Sequence, residues 1–179
     1  MIGAQLDDWM PDPAVRSRHR RRAAAPAADL WAAATALRLS DTRTLGRLVR
    51  WRIPGTPPGQ TFRGLLAEYP FVVLDEGERW SLSGLCGRIW TFSRDYPRLD
   101  GPEAFRAWDE PGTVRVLFAH WVEEDGAGAS TIVSEARVEP VDRAAEVRLR
   151  SLWVVVGVFE RLIGAESLEL AVARAEGRA

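Results

Sequence analysis

The sequence is poor in side chains of the kinds that usually act as nucleophiles or metal ligands. It contains two histidines, His19 and His120, and one cysteine, Cys86. Neither histidine has a second His, Cys or carboxylate at the spacing that a metal site requires. Cys86 lies in an apolar segment, where thiols are usually inert, and no Gly-x-Ser-x-Gly elbow occurs. We therefore predict no metal site, no cofactor and no hydrolase triad.

The most prominent charge cluster is the arginine-rich segment 16–22. A strand here would place its four even-numbered arginines on one face, and His19 and Arg21 on the other face with Ala23. We interpret the first face as solvated rather than nucleic-acid-binding, because the formal net charge of the chain is only -1. An unpaired charge is costly inside a fold, so His19 and Arg21 would need a partner there, and Glu135 is the first candidate.

Bulky rings are unusually abundant, with eight Trp against two Tyr and six Phe. Such rings fill a core, line a pocket or anchor an interface. Core packing is the simpler explanation for any single tryptophan. Taken together, Trp51, Trp90, Trp121 and Trp153 favour the aromatic wall of a cavity.

Two sets of polar residues could serve such a cavity. Glu135 shares a strand face with Arg137 and Val133, and Arg88 shares one with Trp90. Either set could be an ordinary surface or structural ion pair. Either could instead be a polar anchor that orients a ligand in an otherwise apolar pocket.

Length and composition indicate one ordinary globular domain. The chain has 179 residues, of which 46% are hydrophobic and 27% charged. A single cysteine excludes an internal disulfide and fits a reducing compartment. We find no signal-peptide pattern at the N-terminus and no apolar run of the ~20 residues needed to span a bilayer. We expect a cytoplasmic protein with no nucleic-acid partner and no stable membrane insertion.

The order of elements suggests an α+β fold. Residues 1–13 form a polar arm that packs loosely, and residues 14–179 form a single domain. A first strand runs into Ala25-Pro26, where a helix begins because proline suits the first helical position. A second short helix, a hairpin and two further strands follow. The periodicity of residues 143–175 predicts one long C-terminal helix.

Three short patterns carry a resemblance to a known superfamily. Residues 22–31 have a small residue and a proline before a Leu-Trp pair, and residues 83–90 form a glycine-containing strand that ends in an aromatic. Residues 131–138 are followed by Asp142 and by the Arg-Ser-Leu-Trp of residues 150–153. Together they resemble the SRPBCC superfamily, which includes START-like, birch-pollen-allergen-like and polyketide-cyclase-like proteins. The resemblance implies a helix-grip fold, in which a curved antiparallel sheet wraps around a long C-terminal helix, with two short helices after the first strand.

That resemblance implies a mostly apolar cavity between sheet and helix. Our first hypothesis is that the protein binds or carries a hydrophobic small molecule such as a lipid or polyketide. The first alternative is a polyketide cyclase/aromatase or dehydratase-type enzyme, in which a His, Arg or Glu moves protons. The second is a protein-interaction module or homodimer that uses the outer sheet face, because the strand at residues 113–122 is apolar on both faces.

We further expect the loop at residues 54–59, with its three prolines and two glycines, to border the pocket mouth and gate it. The complete set of predicted ligand-binding residues is His19, Arg21, Trp51, Arg52, Phe62, Arg88, Trp90, Trp121, Glu135 and Trp153.

Overall fold

The fold is built on one antiparallel sheet of five strands in the spatial order β1-β5-β4-β3-β2. The computed structural model describes residues 2–91 and 96–178, and does not describe the side chains of residues 2–4, 52 and 152–164. The strands are β1 (Val15–Ala23), β2 (Val72–Gly77), β3 (Trp80–Gly87), β4 (Val114–Gly126) and β5 (Ala129–Pro140). The first and last strands therefore pair, which brings the arginine-rich segment beside β5.

Six α-helices accompany the sheet in the described part of the chain. They are α1 (Ile2–Trp9), α2 (Ala27–Ala36), α3 (Leu45–Arg52), α4 (Phe62–Ala67), α5 (Pro102–Arg106) and α6 (Arg143–Ala175). The predicted α+β, helix-grip architecture is confirmed, including the long C-terminal helix. The segment at residues 61–68, whose pattern fits either helix or strand, is helical.

The ends of the helices follow local chemistry. Asp142 caps α6 because its carboxylate accepts a hydrogen bond from the Ala145 amide at 2.7 Å. Thr61 caps α4 in the same way through the Gly64 amide. At 33 residues, α6 has a length of about 50 Å. It is long enough to cross the whole sheet.

The concave face of the sheet packs against α2 and α6. Ala23 and Ile132 form one buried cluster with Leu168 and Ala171 of α6. A second cluster joins Leu85 of β3 to the N-terminal part of α6. Between these clusters the concave face is not filled by the described side chains, and a cavity remains.

The convex face is covered by the N-terminal segment, which differs from the loosely packed arm that we predicted. Residues 2–9 form α1, and Leu6 and Met10 are fully buried in one cluster with Leu117 and Val133. The outward apolar side chains of β4 are therefore covered within the chain. The observation that suggested an interaction surface on this face has an intramolecular explanation.

Segment 97–108 completes the convex layer. The Phe105 ring is fully buried and lies over Gly84 of β3, where an added Cβ atom would come within 2.6 Å of the ring. Glycine at this position allows the ring to lie directly on the strand. The Trp9 ring packs edge-on against Phe105, with ring centroids 6.2 Å apart, and so joins α1 to α5.

Candidate ligand-binding cavity

The main cavity lies between the concave face of the sheet and helices α2, α3 and α4. Its volume is about 450 Å³, and its lining is mostly apolar. The sheet contributes Ser81, Leu85, Phe118, His120 and Ile132, and Leu168 of α6 lies at one side. A cavity of this size falls within the range of small-molecule sites, which is roughly 300 to 1,000 Å³.

Helical spacing brings apolar side chains of three helices to the cavity. Ala34 of α2, Leu48 and Val49 of α3, and Phe62 and Leu66 of α4 all line it. Leu45 also lines the cavity, three and four positions before Leu48 and Val49, and the α4 pair is four positions apart, so each set lies on one side of its helix. Each short helix therefore contributes an apolar face to the cavity.

A polar row crosses the concave face through His120. In the register of the sheet, Ser81 lies opposite His120, His120 opposite Ser134, and Ser134 opposite His19. Directly opposed side chains on one face have Cβ atoms about 5 Å apart. His120 and Ser81 both line the cavity.

Burial controls the charge of His120. Desolvation lowers the pKa of His120 to about 4, so the imidazole is neutral at neutral pH. No hydrogen bond joins it to any residue that the structure describes. A neutral imidazole keeps one N-H donor and one nitrogen acceptor, and the side chain lines the cavity.

Cys86 lies on the opposite side of the sheet, in the convex cluster. Burial raises the pKa of the Cys86 thiol to about 12, so it carries almost no reactive thiolate at neutral pH. Within residues 2–91 and 96–178 there is no group of three His, Cys, Asp or Glu residues that could hold a metal ion.

The structure brings three of the predicted site residues together at the cavity. Trp51 of α3, Phe62 of α4 and Trp90 all line it. Trp90 reaches the cavity from the segment that follows β3. Whether these residues contact a ligand stays a prediction.

Trp121 and Glu135 lie on the convex face, away from the cavity. Trp121 is buried in the convex cluster, and its indole N-H donates to Glu123 at 2.8 Å. Glu135 is almost fully buried and accepts from the Arg137 side chain at 2.7 Å. The reason is strand alternation: Trp121 is an odd number of positions from Phe118, which lines the cavity, so the two rings point to opposite faces.

His19 and Arg21 lie on the concave side, as the alternation predicts, but Glu135 is not their partner. Arg21 bonds to Glu169 of α6 at 3.0 Å, and the Ser17 hydroxyl lies 3.3 Å from His19 Nε2. Glu135 instead pairs across the convex side with Arg16, at 3.1 Å. The arginine-rich strand thus uses both faces for ion pairs.

Arg88 is exposed and sits 4.0 Å from Glu110. Gly87 has a φ of +132° and ends β3, so the alternation that would align Arg88 with Trp90 stops before it. The side chains of Arg52 and Trp153, also predicted to bind ligand, lie outside the described part of the structure.

His120 is the cavity residue that sequence reasoning left without a role. As a metal ligand it lacks partners at the right spacing. A signal was present, because His120 and Phe118 share one face of β4 by alternation. The position of Ser81 opposite His120 depends on the register between β3 and β4. The residue pattern of a single strand does not give that register.

No family model matches the chain, and no curated protein matches it. Solved structures that resemble it include a Thermobifida fusca protein determined by solution NMR, with 18% identity and a TM-score of 0.37 over 90% of this chain and 95% of that one. A hypothetical protein from Helicobacter pylori has 11% identity and a TM-score of 0.44 over 94% and 93% of the two chains. The ZhuI aromatase/cyclase from Streptomyces sp. R1128 has 17% identity and a TM-score of 0.34 over 89% and 94%. Likenesses at this level assign neither a family nor a function.

The proline-rich loop borders a smaller hollow beside the main cavity. This hollow has a volume of about 280 Å³ and shares Ile53 and Leu65 with the main cavity. The loop is anchored by backbone bonds, with the Ser40 amide donating to the Pro58 carbonyl at 2.8 Å. Gating by the loop stays a prediction.

We expect Trp51→Ala to weaken uptake of the neutral probe N-phenylnaphthylamine by about fivefold. The ring is 57% exposed while it borders the cavity, so its loss removes ligand contacts worth about 1 kcal/mol but few core contacts. The melting temperature should stay nearly unchanged. Probe fluorescence titration and thermal unfolding measure both quantities.

Val147→Ala is the matched control, because Val147 is also 57% exposed but lies on α6 away from the lining. A large loss of stability with intact probe affinity would assign Trp51 to the core and refute its predicted place at the cavity mouth.

Proposed function

We propose that the protein binds or carries a hydrophobic small molecule, such as a lipid or polyketide, in the cavity between the sheet and its helices. The observation that carries this proposal is the cavity of about 450 Å³ with a mostly apolar lining. Without a ligand, an apolar space of this size would leave its lining atoms without packing partners. A hydrophobic ligand would supply those contacts and remove apolar surface from water.

The lining also supports binding rather than catalysis. Of the cavity-lining residues that the structure describes, Arg63 is the single formally charged one, and it is exposed and paired with Glu76 at 3.0 Å. The groups suggested for proton transfer in a cyclase or dehydratase are spread over different parts of the fold. Glu135 belongs to the convex face and Arg88 to an exposed turn, so we do not develop the enzyme alternative. A homodimer stays a prediction.

No helix in the described part of the chain is both long and apolar enough to span a bilayer.

A cavity-filling substitution tests the proposal. Ala34 lines the cavity from α2, so Ala34→Phe should occupy ligand space and lower the affinity for N-phenylnaphthylamine by about tenfold or more. The melting temperature should be kept or raised, because the new ring fills a void.

The control is Ala32→Phe, which adds the same ring on the solvent side of the same helix. Fluorescence titration of both variants measures the affinities. If the two variants bind the probe equally, or if the parent protein takes up no probe, the proposed binding site is wrong.

A further inference from the structure

The cavity contains one strongly polar feature in its sheet wall. His120 and Ser81 are directly opposed on neighbouring strands, and both line the cavity. The Leu85 and Phe118 side chains line the same wall. A polar pair on an apolar wall is the usual means by which a pocket fixes the orientation of a ligand.

The two side chains are not used by the fold. Neither His120 nor Ser81 makes a side-chain hydrogen bond with the residues that the structure describes. Both side chains are half-buried, and a polar group that a hydrophobic ligand shields from water without offering it a partner costs free energy. Phenylalanine at position 120 would fill the same site without that cost, so the imidazole is better explained by a ligand than by packing.

The charge of the surroundings restricts what that ligand can be. Burial keeps the His120 imidazole neutral, and the described lining offers no interior cation, because Arg63 is exposed and held by Glu76. An ionised carboxylate or phosphate would therefore enter without a counter-ion, which is strongly unfavourable in an apolar cavity. A neutral oxygen group has no such penalty.

We propose that the ligand is a neutral hydrophobic molecule that carries a ketone or hydroxyl group, and that His120 and Ser81 hydrogen-bond this group. The N-H of the imidazole and the serine hydroxyl can donate to a ketone oxygen, and the remaining ring nitrogen can accept from a hydroxyl. This inference rests on the proposed function and specifies the class of its ligand.

Four naphthalene compounds test the inference, because they share one apolar body and differ in the attached group. They are acetonaphthone, naphthol, unsubstituted naphthalene and naphthoate, and displacement of N-phenylnaphthylamine from the protein gives their affinities. We expect acetonaphthone and naphthol to bind about tenfold more tightly than naphthalene, which is the effect of one net hydrogen bond. Naphthoate should bind most weakly.

Three variants assign the discrimination to the polar pair. His120→Phe should abolish the preference for acetonaphthone and naphthol over naphthalene, whereas His120→Gln, which keeps a donor and an acceptor, should retain much of it. Ser81→Ala should reduce it to an intermediate value. Affinity for naphthalene itself should change little in His120→Gln and Ser81→Ala.

The outcomes separate this inference from the proposed function. Equal binding of naphthalene, acetonaphthone and naphthol would overturn the polar anchor while leaving the apolar cavity a binding site. Preferential binding of naphthoate would overturn the neutral ligand class. The same loss for every compound in His120→Phe would make position 120 a steric wall. Failure of the protein to bind the probe or any of the compounds would overturn the proposed function as well.

Discussion

Arg137→Ala should lower the free energy of unfolding by about 3 kcal/mol or more. Arg137 is 1% exposed and Glu135 3% exposed, and the Arg137 side chain also donates to Asp7 and to the Met10 carbonyl, both at 2.7 Å. Removing one partner of a buried ion pair leaves the other charge buried and incompletely compensated, which typically costs 3–5 kcal/mol, an order-of-magnitude figure. Arg16 remains near Glu135 and moderates the loss. Urea unfolding of the parent and variant measures the difference.

The same substitution should loosen α1, because Arg137 ties the end of that helix to β5. Limited proteolysis should therefore cleave the N-terminal segment faster in Arg137→Ala. Arg22→Ala is the control, since Arg22 is exposed on the same sheet face and pairs loosely with Asp125 at 3.6 Å. Its effect should stay within about 0.5 kcal/mol. Equal stabilities for the two variants would show that the Arg137 network does not hold α1.

The stability of the protein should decrease as the pH falls from about 6.5 to about 4. Burial lowers the pKa of His120 from 6.5 to about 4, so in this window the unfolded chain takes up a proton that the folded protein does not. Stability is lost where the unfolded state binds more protons. The full effect of one such histidine is roughly 3 kcal/mol.

His120→Phe should remove this pH dependence, and the difference between the two proteins is the quantity to measure. Urea unfolding at several pH values between about 6.5 and about 4 gives this difference in the free energy of unfolding directly. Asp7, Asp41, Asp142 and Glu176 have lowered pKa values, and their stabilisation is lost mainly as the pH falls through and below about 4. They affect both proteins alike. Parallel pH profiles for parent and variant would mean that His120 is not desolvated.

The fold was predictable because its main signals are local. The Ala-Pro junction before α2 and the apolar periodicity of α6 both come from residues close together in sequence. Sheet faces were predictable only in part. Alternation correctly placed His19 and Arg21 on the concave side. It failed for Trp121, which we grouped with Trp90 as a cavity residue. Trp121 is an even number of positions from Leu117 on β4, so both side chains lie on the convex face.

The N-terminal helix was missed because its stabilisation is tertiary. Short isolated helices are marginal in water, and the segment before Pro11 carries Asp7 and Asp8, which suggested a polar arm. Leu6 and Met10 are four positions apart and share one face, which is the signal that could have predicted burial. Their binding surface is on β4 and β5, more than a hundred residues away.

The cavity was predictable as a type of site but not in its details. Trp51, Phe62 and Trp90 follow from a surplus of aromatic residues near loops that should approach the sheet. The pairing of His120 with Ser81 across the cavity wall depends on the register of β3 against β4. A single sequence gives the pattern of each strand, whereas register arises from packing between strands.

Methyl NMR of the protein titrated with N-phenylnaphthylamine tests the central claim most directly, because it locates the ligand. We predict that the methyl signals of Leu85, Ile132 and Leu168, which line the cavity, shift as the probe is added. Those of Leu117 and Val133, which are buried on the convex side, should stay in place. Shifts confined to the convex methyls, or no shift at a saturating probe concentration, would contradict a ligand-binding cavity on the concave face.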